Sequence, residues 1–548
     1  MTTNLPAQWD VDVDVVVLGS GAAGLTAAAA AQVHGARVAL LEKTDKWGGT
    51  TAVSSAGTWM PRNHHMADLG ISDSREEVVT YMKRLGAVKG DWPLIETFID
   101  VGPEAIRFLE EKTPTRFQAI RYPDYHPEFE GGKSAGRPLE PALFDLKPLG
   151  ELGDRLEEEV RLSAMALLPI MMCELSVGLE NLDFQMLFER HNNGLRSGGR
   201  ALIMPLIQHC VQQGVELHLK TRGRELITEN GAVVGVRAEK DGRDFFVRAR
   251  QGVVIATGGF EWNEDLAKAF LRGPMEAPSS PPACEGDGLL MAQQVGAALG
   301  NMSEAWWMPT YNIPGEEYDG KPLNRIIARE RCLPGCIFVN RQGRRFVNEA
   351  HNYNDIGRSF HTFDPVEFDF PNVPAWMLFD HTCKSTYIMA TVMPHRPSPS
   401  WMTKADSLRE LAQIVGIDPD GLEASVAKFN THAREGQDPE FKRGVSVYDH
   451  HNADPNHKPN PALAPLETPP YYAIRIYPGT LGTKGGAKTN ERAQVLDIWG
   501  KTIPGLYAAG NSMAGVTGMA YAGAGGTIGP AIAFGYLAGQ YAAQEPKR

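Results

Sequence analysis

The stretch V-L-G-S-G-A-A-G at Val17–Gly24 decides how the chain begins to fold. The β-branched run Val13–Leu18 leads into it, and the alanine-rich segment Ala22–His34 and the apolar run Val38–Glu42 follow, an order of strand, turn, helix, strand. Gly35 is placed to end the helix, and the short joints make a right-handed parallel βαβ unit the economical reading. In the G-x-G-x-x-G turn, Gly19 permits the tight bend, Gly21 lets a pyrophosphate approach the backbone, and Gly24 lets helix pack on strand. Ala22 and Ala23 open the helix between them. Glu42, followed by Lys43, ends the next strand, where a carboxylate accepts hydrogen bonds from an adenosine ribose. The expected class is α/β, with a Rossmann-like dinucleotide-binding domain.

The other end of the chain answers this turn. Gly505–Pro530 reads G-L-Y-A-A-G-N-S-M-A-G-V-T-G-M-A-Y-A-G-A-G-G-T-I-G-P, and glycine at that density lets backbone approach a flat ligand and offer N–H donors. The segment is expected to lead into a terminal helix through Ala531–Ala543, with Pro530 at its first position. Between the ends, Asp68–Glu111 has a helical pattern, and Tyr122–Pro141 is a loop dense in proline and glycine, a place where function concentrates. A hairpin turns at Asn230-Gly231, and Gln251–Thr257 is a buried strand. From about residue 300 the texture becomes aromatic and proline-rich. The domains expected are a nucleotide-binding part over 1–297, an inserted α+β catalytic unit over 298–478, and the return of the first domain over 479–548.

Composition bounds the function. The chain has 54 basic and 66 acidic residues, a net charge of −12, which suits a soluble protein and argues against a nucleic-acid partner. The N-terminus shows no charged region followed by an apolar run, so a cytoplasmic location is expected, with peripheral membrane contact left open. Six cysteines are scattered, and the close pair Cys332 and Cys336 has no further ligands at matching spacing; buried free thiols and no metal site are expected.

The small-residue loop G-G-T-T-A-V-S-S-A-G at Gly48–Gly57 is one that a nicotinamide enzyme does not need and an extended FAD does. With it, the chain resembles the flavoprotein superfamily that includes fumarate reductases and 3-ketosteroid dehydrogenases, over nearly its whole length. The further matching pieces are A-T-G-G at Ala256–Gly259, G-D-G at Gly286–Gly288, R-F-V-N-E at Arg345–Glu349 and G-L-Y-A-A-G at Gly505–Gly510. The resemblance implies non-covalent FAD, held by Gly19, Gly21, Ala22, Ala23, Gly24, Glu42, Lys43, Gly49, Thr50, Thr51, Ser54, Ala56, Gly57, Ala256, Thr257, Gly258, Gly286, Asp287, Gly510, Asn511, Gly526, Thr527 and Ile528. A helix N-terminus after Gly526 would favour negative charge on the reduced ring.

Fumarate-type enzymes carry an arginine four residues after the R-F-V-N-E glutamate and another in the C-terminal glycine region. This chain has Tyr353 and Tyr521 there, and L-G-T-K-G-G at Leu481–Gly486 where a histidine pair is expected. A phenol cannot hold a carboxylate as a guanidinium does, but it hydrogen-bonds a neutral ketone. These positions are similar to those of the 3-ketosteroid 1-dehydrogenases, with Ala524 where that family has proline. The likeness implies that Tyr521 and the Gly525 N–H hold a steroid 3-ketone, Tyr353 removes a proton from carbon 2, Tyr125 supports Tyr353, and the flavin takes hydride from carbon 1, passing electrons to an external quinone or dye-like acceptor. Tyr122 shares the loop of Tyr125, so which of them assists is open. Also open are an ene reductase of the superfamily, a 4,5-dehydrogenase of 3-ketosteroids, and a flavin protein without substrate. Trp306, Trp307, Met308 and Phe117 read as core, with lining of the substrate pocket as the lesser alternative, a role also open to Tyr122.

Overall fold

The structure is a computed structural model and describes residues 5–164, 167–175 and 178–548. Strand β1 (Val11–Leu18) is followed by α1 (Ala22–Val33) and β2 (Val38–Leu41), with β1 and β2 parallel in the register Val15 to Val38 and Leu18 to Leu41. The sheet continues outward through β3 (Glu216–His218), parallel to β2. On its other side lies β6 (Arg243–Ile255), a long strand that joins two systems. Its C-terminal half is parallel to β1, and its N-terminal half pairs antiparallel with β5 (Ala232–Lys240), itself paired with β4 (Thr221–Glu229). Asn230 and Gly231 make the turn between β4 and β5 with φ of 51° and 81°, the left-handed pair that a tight hairpin demands.

The two ends of the chain meet in this sheet. A late strand, Thr502–Ala508, lies parallel to β6 with Ile255 opposite Ala508, and the terminal helix Ile528–Gln544 packs on α1. Gly535 and Gly539 make that packing close: a Cβ on them would fall 2.5 Å from the Ala23 carbonyl and 2.2 Å from that of Ala27. The doubly wound domain is thus built by both termini. Pro530 is the third residue of the terminal helix rather than the first, which the missing N–H allows because no first-turn N–H has a partner within the helix. The helical pattern read over Asp68–Glu111 is carried by two helices, Arg75–Leu85 and Trp92–Lys112, parted at Gly86–Gly90.

A second, six-stranded antiparallel sheet is made by Lys321–Ile326, Ala305–Tyr318, Tyr471–Thr483, Ala375–Phe379 and Cys336–Asn340 in that order, with Thr403–Ala405 beside Tyr471–Thr483. We propose that this sheet is the centre of the inserted domain; its strand Tyr471–Thr483 carries the chain back to the first. Cys332 and Cys336 are buried free thiols here, and Trp307, Met308 and Phe117 are core residues, as expected. Gly539→Val places two methyl groups against the Ala27 carbonyl and is expected to destabilise the protein by about 2 kcal/mol, read as a lower thermal midpoint; an unchanged midpoint would count against the close seating of the two helices.

Candidate active site

A single cleft runs from the end of β2, past the glycine turn and Gly49–Thr51, to Asn511 and the start of the terminal helix. Glu42 is fixed at one end: its carboxylate accepts from the Ser20 N–H at 3.2 Å and hydroxyl at 2.6 Å, and from the Thr44 N–H at 2.9 Å and hydroxyl at 3.0 Å. Behind it, Asp287 is held by Lys43 at 2.8 Å and Arg222 at 2.5 Å. The Thr51 hydroxyl accepts from the Ala22 N–H at 3.1 Å, tying the small-residue loop to the first turn of α1. At the far end the terminal helix begins at Ile528 with no side-chain cap from Thr527, so its positive end faces the cleft.

The residues expected at the cofactor fall into two groups. Gly19, Gly21, Ala22, Ala23, Glu42, Lys43, Gly49, Thr50, Thr51, Ser54, Ala256, Thr257, Gly258, Asp287, Gly510, Asn511, Thr527 and Ile528 line the cleft. Gly24, Ala56, Gly57, Gly286 and Gly526 stand behind it and shape it: a Cβ on Gly24 would fall 1.9 Å from the Gly19 carbonyl, and one on Gly526 2.9 Å from the Tyr521 ring. Residues not expected also line it, among them Ser20, Thr44, Arg161, Thr221, Cys284 and Leu481. Ser20 was legible as the middle of the glycine turn; Arg161 was not, since it is held by Asp319 at a hairpin tip of the other sheet. Open space over Gly49, an oriented carboxylate and an open helix N-terminus fit the ribose, pyrophosphate and flavin ends of FAD.

Beyond the far end lies an aromatic cage. Tyr125, Tyr353 and Tyr521 come from three distant segments, and their ring centroids are 5.3 Å (Tyr125 to Tyr353), 5.0 Å (Tyr125 to Tyr521) and 5.6 Å (Tyr353 to Tyr521) apart. Trp306, buried as expected, packs on Tyr521 at 4.7 Å and walls the cage, and Tyr448, unforeseen, packs on Tyr125 at 5.2 Å. Tyr122 instead faces Tyr448 and His451, and its hydroxyl accepts from Asn452 at 3.4 Å.

Each tyrosine is held by its own device. The Tyr125 N–H donates to the Ala522 carbonyl at 3.0 Å, so the Tyr125 loop is sewn to the segment that carries Tyr521. The neighbouring Asp124 is fully buried and accepts from Trp59 and Arg137, each at 2.7 Å. Tyr353 opens a short helix, Tyr353–Ser359, whose Asn352 cap accepts from the Asp355 N–H at 3.0 Å. Just before it, Glu349 of R-F-V-N-E is a buried hub: it accepts from Arg345 at 2.9 and 2.7 Å, from Arg443 at 3.1 Å and from the Phe338 N–H at 3.0 Å. Asp355 reaches across to His126 at 2.9 Å and clasps the Tyr125 loop to the Tyr353 helix.

Burial dominates the electrostatics of the cage. It pushes Tyr353 well above the usual phenol range, with the nearby Tyr521 adding to the rise and a hydrogen bond from Tyr125 opposing it. Burial likewise raises Tyr521, against the pull of Tyr353, Thr527 and the Gly525 backbone. Gly525 has φ of +89°, and a Cβ there would sit 2.0 Å from the Gly57 carbonyl, so only glycine places its N–H beside the Tyr521 hydroxyl.

A cofactor cleft built by both chain ends, with a second sheet closing one side, defines a flavoprotein oxidoreductase. The chain belongs to the FAD-binding domain family, whose model matches residues 14–528. It is 37% identical to 3-oxosteroid 1-dehydrogenase of Mycobacterium tuberculosis over 568 residues, covering 97% of this chain and 98% of that one. It is also 37% identical over 538 residues to 4-oxocyclohexanecarboxylate 2-dehydrogenase of Sinomonas cyclohexanicum, covering 96% and 92%. The solved 3-ketosteroid delta1-dehydrogenase of Sterolibacterium denitrificans, in complex with 1,4-androstadiene-3,17-dione, superimposes with a TM-score of 0.91 at 34% identity, covering 97% of this chain and 99% of that one. No helix among the described residues is long and apolar enough to cross a membrane.

Removing the ribose acceptor should weaken cofactor binding without touching the cage. Glu42→Ala is expected to lose FAD affinity by roughly 10- to 100-fold, the worth of a charged hydrogen-bond acceptor, measured by reconstituting apoprotein with FAD; equal affinity would rule out Glu42 as that acceptor.

Proposed function

We propose that this protein is an FAD-dependent dehydrogenase that introduces a double bond between carbons 1 and 2 of 3-ketosteroids. The observation that carries the reading is the convergence of Tyr125, Tyr353 and Tyr521 beside Gly525, at the flavin end of the cleft. The names of the relatives given above support it. A hydrogen next to a ketone becomes acidic only as the oxygen gains enolate character, so two preorganised donors at that oxygen supply much of the rate. Tyr521 O–H and Gly525 N–H take that role. Tyr353 removes the proton from carbon 2, and Tyr125 donates to Tyr353 and stabilises its phenolate. FAD, when bound, supplies the two-electron acceptor for the hydride of carbon 1.

A second reading, a dehydrogenase of a smaller cyclic ketone such as 4-oxocyclohexanecarboxylate, has equal sequence identity in its favour. The chemistry at the ketone is shared, and a substrate panel decides between the two by kcat/KM. We further propose that electrons leave to an external quinone or dye-like acceptor and that the protein works in the cytoplasm, where peripheral contact with a membrane would bring it to a quinone.

Tyr353→Phe and Tyr521→Phe are each expected to slow dehydrogenation by at least ~100-fold while FAD stays bound; near-normal turnover in both would overturn the assignment. The pH profile gives an independent check. Because burial holds Tyr353 well above 10, its phenolate is scarce at pH 7 and grows with every step upward. The kcat/KM of the wild type is expected to climb from pH 7 to 9 without a plateau, and a flat profile would contradict Tyr353 as the base.

A further inference from the structure

Lys484, in the L-G-T-K-G-G segment, is 1% exposed. Its Nζ donates to the Ala520 carbonyl at 2.8 Å, an acceptor it shares with the Thr517 hydroxyl at 2.9 Å. The same atom lies 4.0 Å from the centroid of the Trp306 ring and 5.9 Å from that of Tyr521. Among the described residues no carboxylate forms an ion pair with it. Glu304, the nearest in influence, is taken by Lys89, Arg272 and Arg358. An ammonium has three donors, and one shared carbonyl with one ring face leaves it short of partners. Burial pulls Lys484 down to about 7, while Glu304 and Asp355 raise it and Arg358 lowers it further.

The position of this cation is specific. It borders a small cavity lined also by Trp306, Asn511, Thr527 and Pro530, and Asn511 and Thr527 line the cofactor cleft as well. Trp306 links the two sites, since it packs on Tyr521 and donates through Nε1 to Asn511 Oδ1 at 3.0 Å. The carbonyl that Lys484 grips belongs to the residue immediately before Tyr521. Burying a cation without a counter-ion costs stability, and a hydrophobic residue of the same length would avoid that cost. In the reaction proposed above, further negative charge arrives at this place, on the ketone oxygen and on the reduced cofactor.

We propose that Lys484 is a positioning residue whose unpaired cation compensates the negative charge that the reaction brings to the ketone oxygen at Tyr521 and to the cofactor beside Thr527. The part concerning the ketone rests on the reaction proposed above; the part concerning the cofactor does not. Three variants of the FAD-loaded protein separate charge from hydrogen bond: Lys484→Met removes both, Lys484→Gln keeps a donor, and Lys484→Arg keeps the charge.

At pH 6, where Lys484 carries its charge, the two-electron equilibrium of bound FAD in the Met and Gln variants is expected to shift about tenfold toward the oxidised form, a potential about 30 mV more negative. Their kcat should fall about tenfold with KM within about twofold, the pattern of charge stabilisation felt after binding. Their thermal midpoints should equal or exceed that of the wild type, because an unpaired buried charge has been removed. Lys484→Arg should stay near the wild type in potential and kcat. Unchanged potential and kcat in the neutral variants would overturn the proposal. So would a Gln variant that behaves as wild type while the Met variant fails, since the hydrogen bond alone would then be at work. Neutral variants that lose FAD or their fold would overturn it too, because a charge kept for the reaction is dispensable in the resting protein. Potential and thermal midpoint are read without substrate, so a wrong substrate assignment leaves those two results standing, and an unchanged potential defeats the proposal even where steroid turnover is found.

Discussion

The seating of the C-terminal helix on α1 is the constraint on which the rest depends. Only a glycine at 535 and 539 leaves room for the Ala23 and Ala27 carbonyls, and the strand just upstream, Thr502–Ala508, is locked in parallel register to Arg243–Ile255. Those two contacts fix where Gly510–Ile528 must run. The segment has no freedom to choose a distance from the glycine turn at the other end of the chain. As a result Asn511, Thr527 and Ile528 face the same cleft as Gly19, Gly21 and Glu42. Close backbone approach, made possible by glycine on both sides, sets the geometry of a cofactor site before any side chain takes part.

The aromatic cage depends on a different kind of interaction. Phenol rings packed at about 5 Å have no directional preference strong enough to aim three hydroxyl groups. The aim comes from buried charges behind them: Asp124 with Arg137 under the Tyr125 loop, and Glu349 with Arg345 and Arg443 under the Tyr353 helix. Such pairs add little net stability, because desolvation offsets most of their attraction, but breaking one leaves a charge stranded. They make the arrangement specific rather than merely stable. Lys484 differs from these: it is a buried cation with which, among the described residues, no carboxylate forms an ion pair, and its hydrogen bond goes to the Ala520 carbonyl.

Much of this was legible in the sequence, and the part that was not has physical reasons. The glycine turn, Glu42 and the hairpin at Asn230-Gly231 are local signals, since φ, turn geometry and strand patterning are written within a few residues. The three tyrosines are legible through their motif neighbours, but the choice between Tyr125 and Tyr122 is not; the structure places Tyr125, not Tyr122, against both Tyr353 and Tyr521. Tyr448 carries no such neighbours, and it reaches the cage only because its helix packs beside the Tyr122 loop. Trp306 is core, as its apolar run suggests, but such a run cannot show which of its faces meets a cage. Arg161 reaches the cleft through a contact with a hairpin tip more than 150 residues later, and a juxtaposition of that range leaves no trace in spacing.

The central claim is that one C-terminal segment serves both ligands, with Tyr521 and Gly525 on the ketone and Thr527 and Ile528 toward the flavin. It is tested most directly by a crystal structure of the FAD-loaded protein with 1,4-androstadiene-3,17-dione bound. The account predicts the steroid's 3-ketone oxygen about 3 Å from both the Tyr521 hydroxyl and the Gly525 N–H, with Tyr353 on the opposite face of the ring from the flavin. A ketone held elsewhere, or a steroid with Tyr353 and the flavin on the same face, would contradict it.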